Sequence, residues 1–270
     1  MMKTVLAAAL GAVLVPGALG HSAFGMLLVN GTETPEWKYV LDVASSVPIN
    51  ISSYPPGYQF FKLPPILDSA DPNITCGRNA FDSAAKTETA DVLAGSEVGF
   101  RVSVDGSGNR GQNLGPDTPF WYPYVWHPGP TIVYLSRAPN DDLQNYRGDG
   151  DWFKIAYAGP LNNSVWSVVM ESEYNFTIPK TTPPGKYLMR IEHFMPTDFV
   201  PSYQQWYVNC AFVNIIGPGG GTPVGFARFP GTYKANDPGL QVPSNQFSEV
   251  EQEDMRLLEY KPPGPAVWTG

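Results

Sequence analysis

Pro183-Pro184-Gly185-Lys186-Tyr187-Leu188-Met189-Arg190-Ile191-Glu192 is the stretch on which the reading of the fold turns. A Pro-Pro-Gly turn opens it, and the residues after it alternate: Tyr187, Met189 and Ile191 fall on one side of an extended strand, Leu188, Arg190 and Glu192 on the other. The same period returns at Gln205-Trp206-Tyr207-Val208-Asn209-Cys210, where Trp206, Val208, Cys210 and Phe212 share a face and Gln205 and Tyr207 point the opposite way. Working outward, strands are expected at 23–29, 97–104, 131–136, 153–158, 165–169, 174–178, 186–192 and 205–216, with no long helical stripe anywhere. So many short strands between turn signals predict an all-β fold, an antiparallel β-sandwich of the immunoglobulin/fibronectin kind with long surface loops.

Composition agrees. The 270 residues are 43% hydrophobic and 16% charged, enough apolar material for a sizeable core and too much for disorder. The 27 glycines and 28 prolines follow no G-X-Y period, which indicates turns and not collagen or linker. With 17 basic against 25 acidic residues, and the basic ones scattered, the chain carries no footprint for phosphate backbones or anionic lipid. Nucleic acid and membrane surfaces are thereby excluded as expected partners.

The first twenty residues read as a signal peptide: Lys3, an apolar run from Thr4 to Val15, and Ala18-Leu19-Gly20 at the cleavage position. Pro16 and Gly17 break the run too early for it to span a bilayer. The expectation is a secreted, extracellular and soluble monomer that begins at His21, a single β-sandwich domain over 21–270. Residues 31–95 form a long loop rich in aromatics (Trp37, Tyr39, Tyr54, Tyr58, Phe60, Phe61), and 218–270 an irregular tail with Tyr233, Tyr260 and Trp268. An appended carbohydrate-binding module is not expected, since a small stapled domain would need more cysteines. The oxidising compartment favours joining the two cysteines present, Cys76 and Cys210. Asn30, Asn50, Asn73, Asn162 and Asn175 begin N-x-[ST] sequons, each a candidate glycosylation site.

The chemistry sits in three histidines, His21, His127 and His193. A histidine at a processed terminus offers an α-amino nitrogen and ring Nδ1 at once, a chelate no internal histidine can form. One further imidazole would complete three nitrogens in a plane, a set that favours copper. His127, in Trp126-His127-Pro128-Gly129-Pro130 ahead of a strand, and His193 are the two candidates for that second ring.

Taken together these pieces resemble the fungal lytic polysaccharide monooxygenases, in particular the cellulose-active auxiliary activity family nine. The similarity is carried by the His21 start, Ile74-Thr75-Cys76, His127-Pro128-Gly129-Pro130, Trp152-Phe153-Lys154-Ile155, the strand from Pro184 to Glu192, Gln205 to Cys210, Phe229-Pro230-Gly231-Thr232-Tyr233, Asp237-Pro238-Gly239 and Tyr260-Lys261-Pro262-Pro263-Gly264-Pro265. They run in the family's order across nearly all of the processed chain. The resemblance implies a copper brace of His21 and His127, with Tyr207 as a weak axial group, Gln205 positioning the oxygen species, and a core disulfide between Cys76 and Cys210. It also implies oxidative cleavage of a β-1,4-linked glucan such as cellulose, by hydroxylation at C1 and/or C4. One copper ion, an external small-molecule or protein electron donor, and dioxygen or peroxide would be required.

One position departs from the family. Its second histidine near the metal, seven residues after the arginine of the Tyr-Leu-x-Arg-x-Glu strand, is Thr197 here, and threonine cannot donate a proton as imidazolium does. Either His193 takes over that role or the oxygen chemistry is slower or differently tuned. Two other functions stay in view: a secreted copper-binding protein of the same fold without cleavage, and a non-catalytic carbohydrate-binding sandwich. The substrate-binding residues are unknown at this stage, with aromatics of 31–95 or of the tail as candidates for stacking on sugar rings.

Overall fold

The structure, a computed structural model, describes residues 21–46, 62–103, 124–196, 204–234, 236–243 and 255–270. Its strands are β1 (Met26–Val29), β2 (Thr32–Glu33), β3 (Ala90–Leu93), β4 (Glu97–Arg101), β5 (Thr131–Arg137), β6 (Trp152–Ala158), β7 (Glu173–Thr177), β8 (Gly185–Met195), β9 (Gln205–Ile216) and β10 (Phe226–Ala227). They form a four-stranded sheet in the order β2-β1-β4-β7 and a six-stranded sheet in the order β10-β6-β5-β8-β9-β3.

The alternation read at 186–192 and 205–212 sorts side chains between two cores. Toward the smaller sheet, Met189, Ile191, Tyr207, Ala211 and Val213 meet Leu27, Val98, Phe100 and Phe176. On the outer face, Leu188, Trp206, Val208, Cys210 and Phe212 are covered by Leu41, Ile74, Ala80, Phe229 and Leu240 from the connecting segments. The larger sheet is therefore buried on both sides, and β8 is buried without interruption from Tyr187 to Met195. Each large apolar side chain so enclosed contributes roughly 1.5–3 kcal/mol.

The β-sandwich expected from sequence is what the chain forms, with differences in detail. The strand expected at 165–169 is absent: Trp166 makes only an isolated bridge to Pro160, and the backbone turns, with Val169 N–H donating to the Trp166 carbonyl. Trp166 and Val169 of that run serve a satellite cluster with Val242, Met255, Leu257 and Tyr260 instead, while Val168 joins the core between the sheets. β8 runs three residues past Glu192 because His193 continues the ladder, paired with Thr131 and Tyr207. β2, β3 and β10 were not anticipated. β3 lies within 31–95 and pairs parallel with β9, the one exception to antiparallel pairing among the described strands.

The outer core also takes in charge. Arg190 Nη2 lies 2.7 Å from Glu192 Oε2 with both side chains fully enclosed. The guanidinium donates to the carbonyls of Ile74 and Thr75 and stacks 3.9 Å over the Phe229 ring, while Tyr233 donates its hydroxyl to Glu192. The same 74–76 turn is fastened to β9 by the Cys76–Cys210 disulfide, Cα–Cα 5.0 Å across 134 residues of chain.

Two stability predictions arise. Replacing both cysteines by alanine should cost about 2–5 kcal/mol in urea unfolding. Glu192→Leu, which strands the buried guanidinium, should cost about 3–5 kcal/mol, and the Arg190→Met/Glu192→Leu double variant should recover most of it.

Candidate metal centre

The N-terminal segment is anchored from two sides. Phe24 N–H donates to Asn209 Oδ1 of β9 at 2.8 Å, and Gly25 N–H to Ser103 Oγ, beyond β4, at 3.0 Å. Ser103 N–H returns a bond to the Ala23 carbonyl at 2.7 Å. Gly25 is required by this closeness, since a Cβ there would lie 2.2 Å from Ser103 Oγ.

His127 comes from the turn ahead of β5, which is pressed equally hard against β8. A Cβ on Gly129 would fall 1.9 Å from the Phe194 carbonyl oxygen. His193 Nε2 lies 3.0 Å from the His127 carbonyl, and Nδ1 lies 3.1 Å from Thr131 Oγ1. A carbonyl only accepts, so Nε2 carries the proton and Nδ1 accepts from the Thr131 hydroxyl. Complete burial pushes the His193 ring down to about 3, with His127 adding to the shift, so the ring is neutral. Both of its nitrogens are spent on holding the turn in place.

Three rings converge. The His21 centroid is 6.2 Å from that of His127 and 6.1 Å from that of Tyr207, and His127 stacks on Tyr207 at 5.9 Å with 17° between planes. Gln205, two residues before Tyr207 on the same strand face, accepts the Tyr207 hydroxyl at 2.5 Å. Burial lowers the His21 pKa, and burial followed by the proximity of His21 takes His127 down to about 4. Both rings are therefore uncharged at neutral pH, the state a metal requires of its imidazole ligands. Nδ1 of His21 and Nδ1 of His127 are each buried without a hydrogen-bond partner. Buried, unpartnered nitrogens on two neutral rings with centroids 6.2 Å apart are what a cation would satisfy.

The residues proposed from sequence as copper ligands and their neighbours, His21, His127, Tyr207 and Gln205, are thus brought together, while His193 sits in the wall behind them. Thr197 and Asn50 lie outside the described residues. Asn30, Asn162 and Asn175 are exposed, whereas Asn73 is half-buried and accepts from the Asn79 N–H at 2.8 Å. The tail aromatics are not available for sugar stacking: Tyr233, Tyr260 and Trp268 are all buried. Tyr54, Tyr58, Phe60 and Phe61 lie outside the described residues. Among the described residues Trp126, the neighbour of His127 in sequence, is an exposed aromatic, 40% accessible, and the sequence reading did not single it out. Asn209 and Thr131 were missed too.

A β-sandwich presenting two neutral imidazoles and a tyrosine at one edge defines a class of metal-dependent sandwich proteins, and comparison with known proteins narrows it. The profile of Auxiliary Activity family 9 (formerly GH61) matches residues 21–253. The chain is 64% identical, over the whole of both sequences, to AA9 family lytic polysaccharide monooxygenase U of Thermothielavioides terrestris. It is 33% identical to AA9 family lytic polysaccharide monooxygenase C of Emericella nidulans, covering 94% of each. Among solved structures, a cellulose-active polysaccharide monooxygenase from M. thermophila shares the fold, with TM-score 0.63 at 22% identity over 93% of this chain and 100% of that one. The chain belongs to Auxiliary Activity family 9, the copper-dependent lytic polysaccharide monooxygenases, and its activity is oxidative cleavage of polysaccharide.

His193→Leu should destabilise the protein by about 2–3 kcal/mol through loss of both hydrogen bonds. It should also flatten the acid limb of the stability curve. The depressed His193 pKa means that the unfolded chain binds a proton the native state does not, so wild-type stability falls from pH 6.5 toward about 3. Urea unfolding of both proteins across that range checks the sign.

Proposed function

We propose that His21 and His127 hold one copper ion, His21 through ring Nδ1 and its α-amine once residues 1–20 have been removed, His127 through its ring. Tyr207 would lie beside the bound ion as a weakly interacting neighbour, and Gln205 would position the oxygen co-substrate. The observation that supports this reading is the pair of buried, unpartnered Nδ1 atoms on neutral rings only 6.2 Å apart by centroid. When bound, copper supplies one-electron redox chemistry and the activation of dioxygen or peroxide, with electrons from an external small-molecule or protein donor. The chain supplies geometry. Stacking on Tyr207 limits tilt of the His127 ring, and the Tyr207 hydroxyl orients the Gln205 carboxamide. Hydrolase-type paired carboxylates are not needed.

The substrate in this reading is cellulose or a related β-1,4-glucan, hydroxylated at C1 and/or C4 by a secreted, monomeric enzyme consisting of a single domain over 21–270. Trp126, exposed next to His127, is the residue we assign to contact a sugar face. The copper-binding protein without cleavage and the non-catalytic sandwich are not favoured by the family match.

Processed protein with copper, ascorbate and cellulose should release oxidised oligosaccharides; tight copper binding without products would overturn cellulose as substrate. A single residue left ahead of His21, or His127→Ala, should weaken copper binding in calorimetry by more than about a hundredfold. Undiminished affinity in either would remove the site. Trp126→Ala should reduce adsorption to cellulose while leaving copper affinity unchanged.

A further inference from the structure

Val125, two residues before His127, is bonded out of step to the segment that follows the 166–169 turn. Its N–H donates to the Glu171 carbonyl at 2.9 Å, while its carbonyl accepts from Met170 N–H at 2.7 Å. Two residues set against one in that order form a G1 β-bulge, whose first position takes a left-handed backbone and is normally glycine. Met170 occupies it here, at φ +65°. Any side chain with a Cβ is disfavoured in that region, and glycine would remove the strain. The position therefore keeps a methionine against its backbone preference.

Packing does not explain the choice. Val125 and Val168 secure the two segments from below, in the core that also holds Tyr207, but Met170 itself is 50% exposed. Of the five methionines in residues 21–270, Met26, Met189, Met195 and Met255 are buried, and Met170 alone is exposed. Val125 thus has two exposed apolar neighbours, Trp126 along the chain and Met170 across the hydrogen bond, at the start of the turn that carries His127. We propose that Met170 is a substrate-contacting residue, giving with Trp126 an apolar footing for a β-1,4-glucan chain beside His127. The faces of a β-linked glucose ring carry C–H groups, and an unbranched, polarizable thioether adapts to such a surface through dispersion contacts. Bulges recur next to active sites because they re-aim a side chain, which is the use made of this one. The inference deepens the reading of cellulose or a related glucan as substrate and rests on it; it does not depend on which residues hold the metal.

Met170→Gly and Met170→Asn both remove the thioether and suit a left-handed backbone. Each should raise the melting temperature of the processed protein by about 2–4 °C. Each should also weaken adsorption to cellulose about three- to tenfold. A merely structural methionine would not move the two readouts in opposite senses, so variants that melt lower than wild type, or that adsorb as well as it does, overturn the proposal. Oxidative footprinting reads the contact without any substitution. Dilute hydrogen peroxide, with no reductant present, transfers one oxygen atom to an exposed thioether and leaves as water, the sulfur being oxidised by two electrons to the sulfoxide. At a cellulose loading that adsorbs two thirds of the protein, sulfoxide formation at Met170, followed by mass spectrometry, should slow about threefold. Equal rates with and without cellulose overturn the contact. A wild-type protein that does not adsorb to cellulose sinks the substrate reading and this inference with it, whereas an adsorbing wild type matched by both variants sinks the assignment of Met170 alone.

Discussion

The long antiparallel pairing of β8 with β9 is the constraint from which the rest of the molecule is hung. It sets Thr131, His193 and Tyr207 in one lateral row across three strands. Along that row the His127 carbonyl, which His193 holds through Nε2–H, fixes the His193 tautomer, the Thr131 hydroxyl donates to Nδ1, and His193 and His127 both lie close to the Tyr207 ring. A slip of one residue would turn Trp206 inward and Tyr207 into the outer core, exchanging every face at once. Register is secured against that because both faces of the larger sheet are buried, so neither tolerates the other's side chains.

The same alternation separates two kinds of electrostatics. On the outer face a full ion pair is enclosed, and it survives there because Arg190 and Glu192 neutralise each other and the Ile74 and Thr75 carbonyls accept from the guanidinium Nε and Nη2. On the inner face, toward the candidate copper centre, the titratable groups are imidazoles held uncharged by burial. Two neutral lone-pair donors retain their affinity for a dication, whereas a protonated ring would repel it. The backbone of the larger sheet keeps the two environments apart.

How much of this could be read in the amino acids varies with the length of the pattern. β8 and β9 are long and alternate strongly, so their faces and the coplacement of Gln205 with Tyr207 were legible, and His21 and His127 stood out as two of only three histidines. β2, β3 and β10 have two to four residues each, too few for a period to show. The apolar run at 165–169 misled because burial of Trp166 in a satellite cluster and burial in a sheet leave the same local signature. What carried no local signal was the supporting layer. The bonds from Asn209 to Phe24 and from Thr131 to His193 join residues 185 and 62 positions apart, and only the folded chain reveals them. The family pattern, for its part, pointed to a histidine where Thr197 stands, and the geometry gives His193 a different task.

A ligand on the first residue of a processed chain, as proposed for His21, would face a physical difficulty, because chain ends fray and a frayed chelate must be ordered each time it binds. Residues 23–25 answer it with hydrogen bonds to Asn209 on one side and Ser103 on the other, both far away in sequence, and with the Gly25 carbonyl accepting from Trp37 N–H. The ordering is thus completed during folding, before any metal arrives, and the second imidazole is placed in the same way by His193 and by the close approach of Gly129 to β8. Both halves of the pair are fixed to the β8–β9 ladder rather than to each other. Their separation therefore does not depend on a cation between them, and the two buried ring nitrogens stay unpartnered.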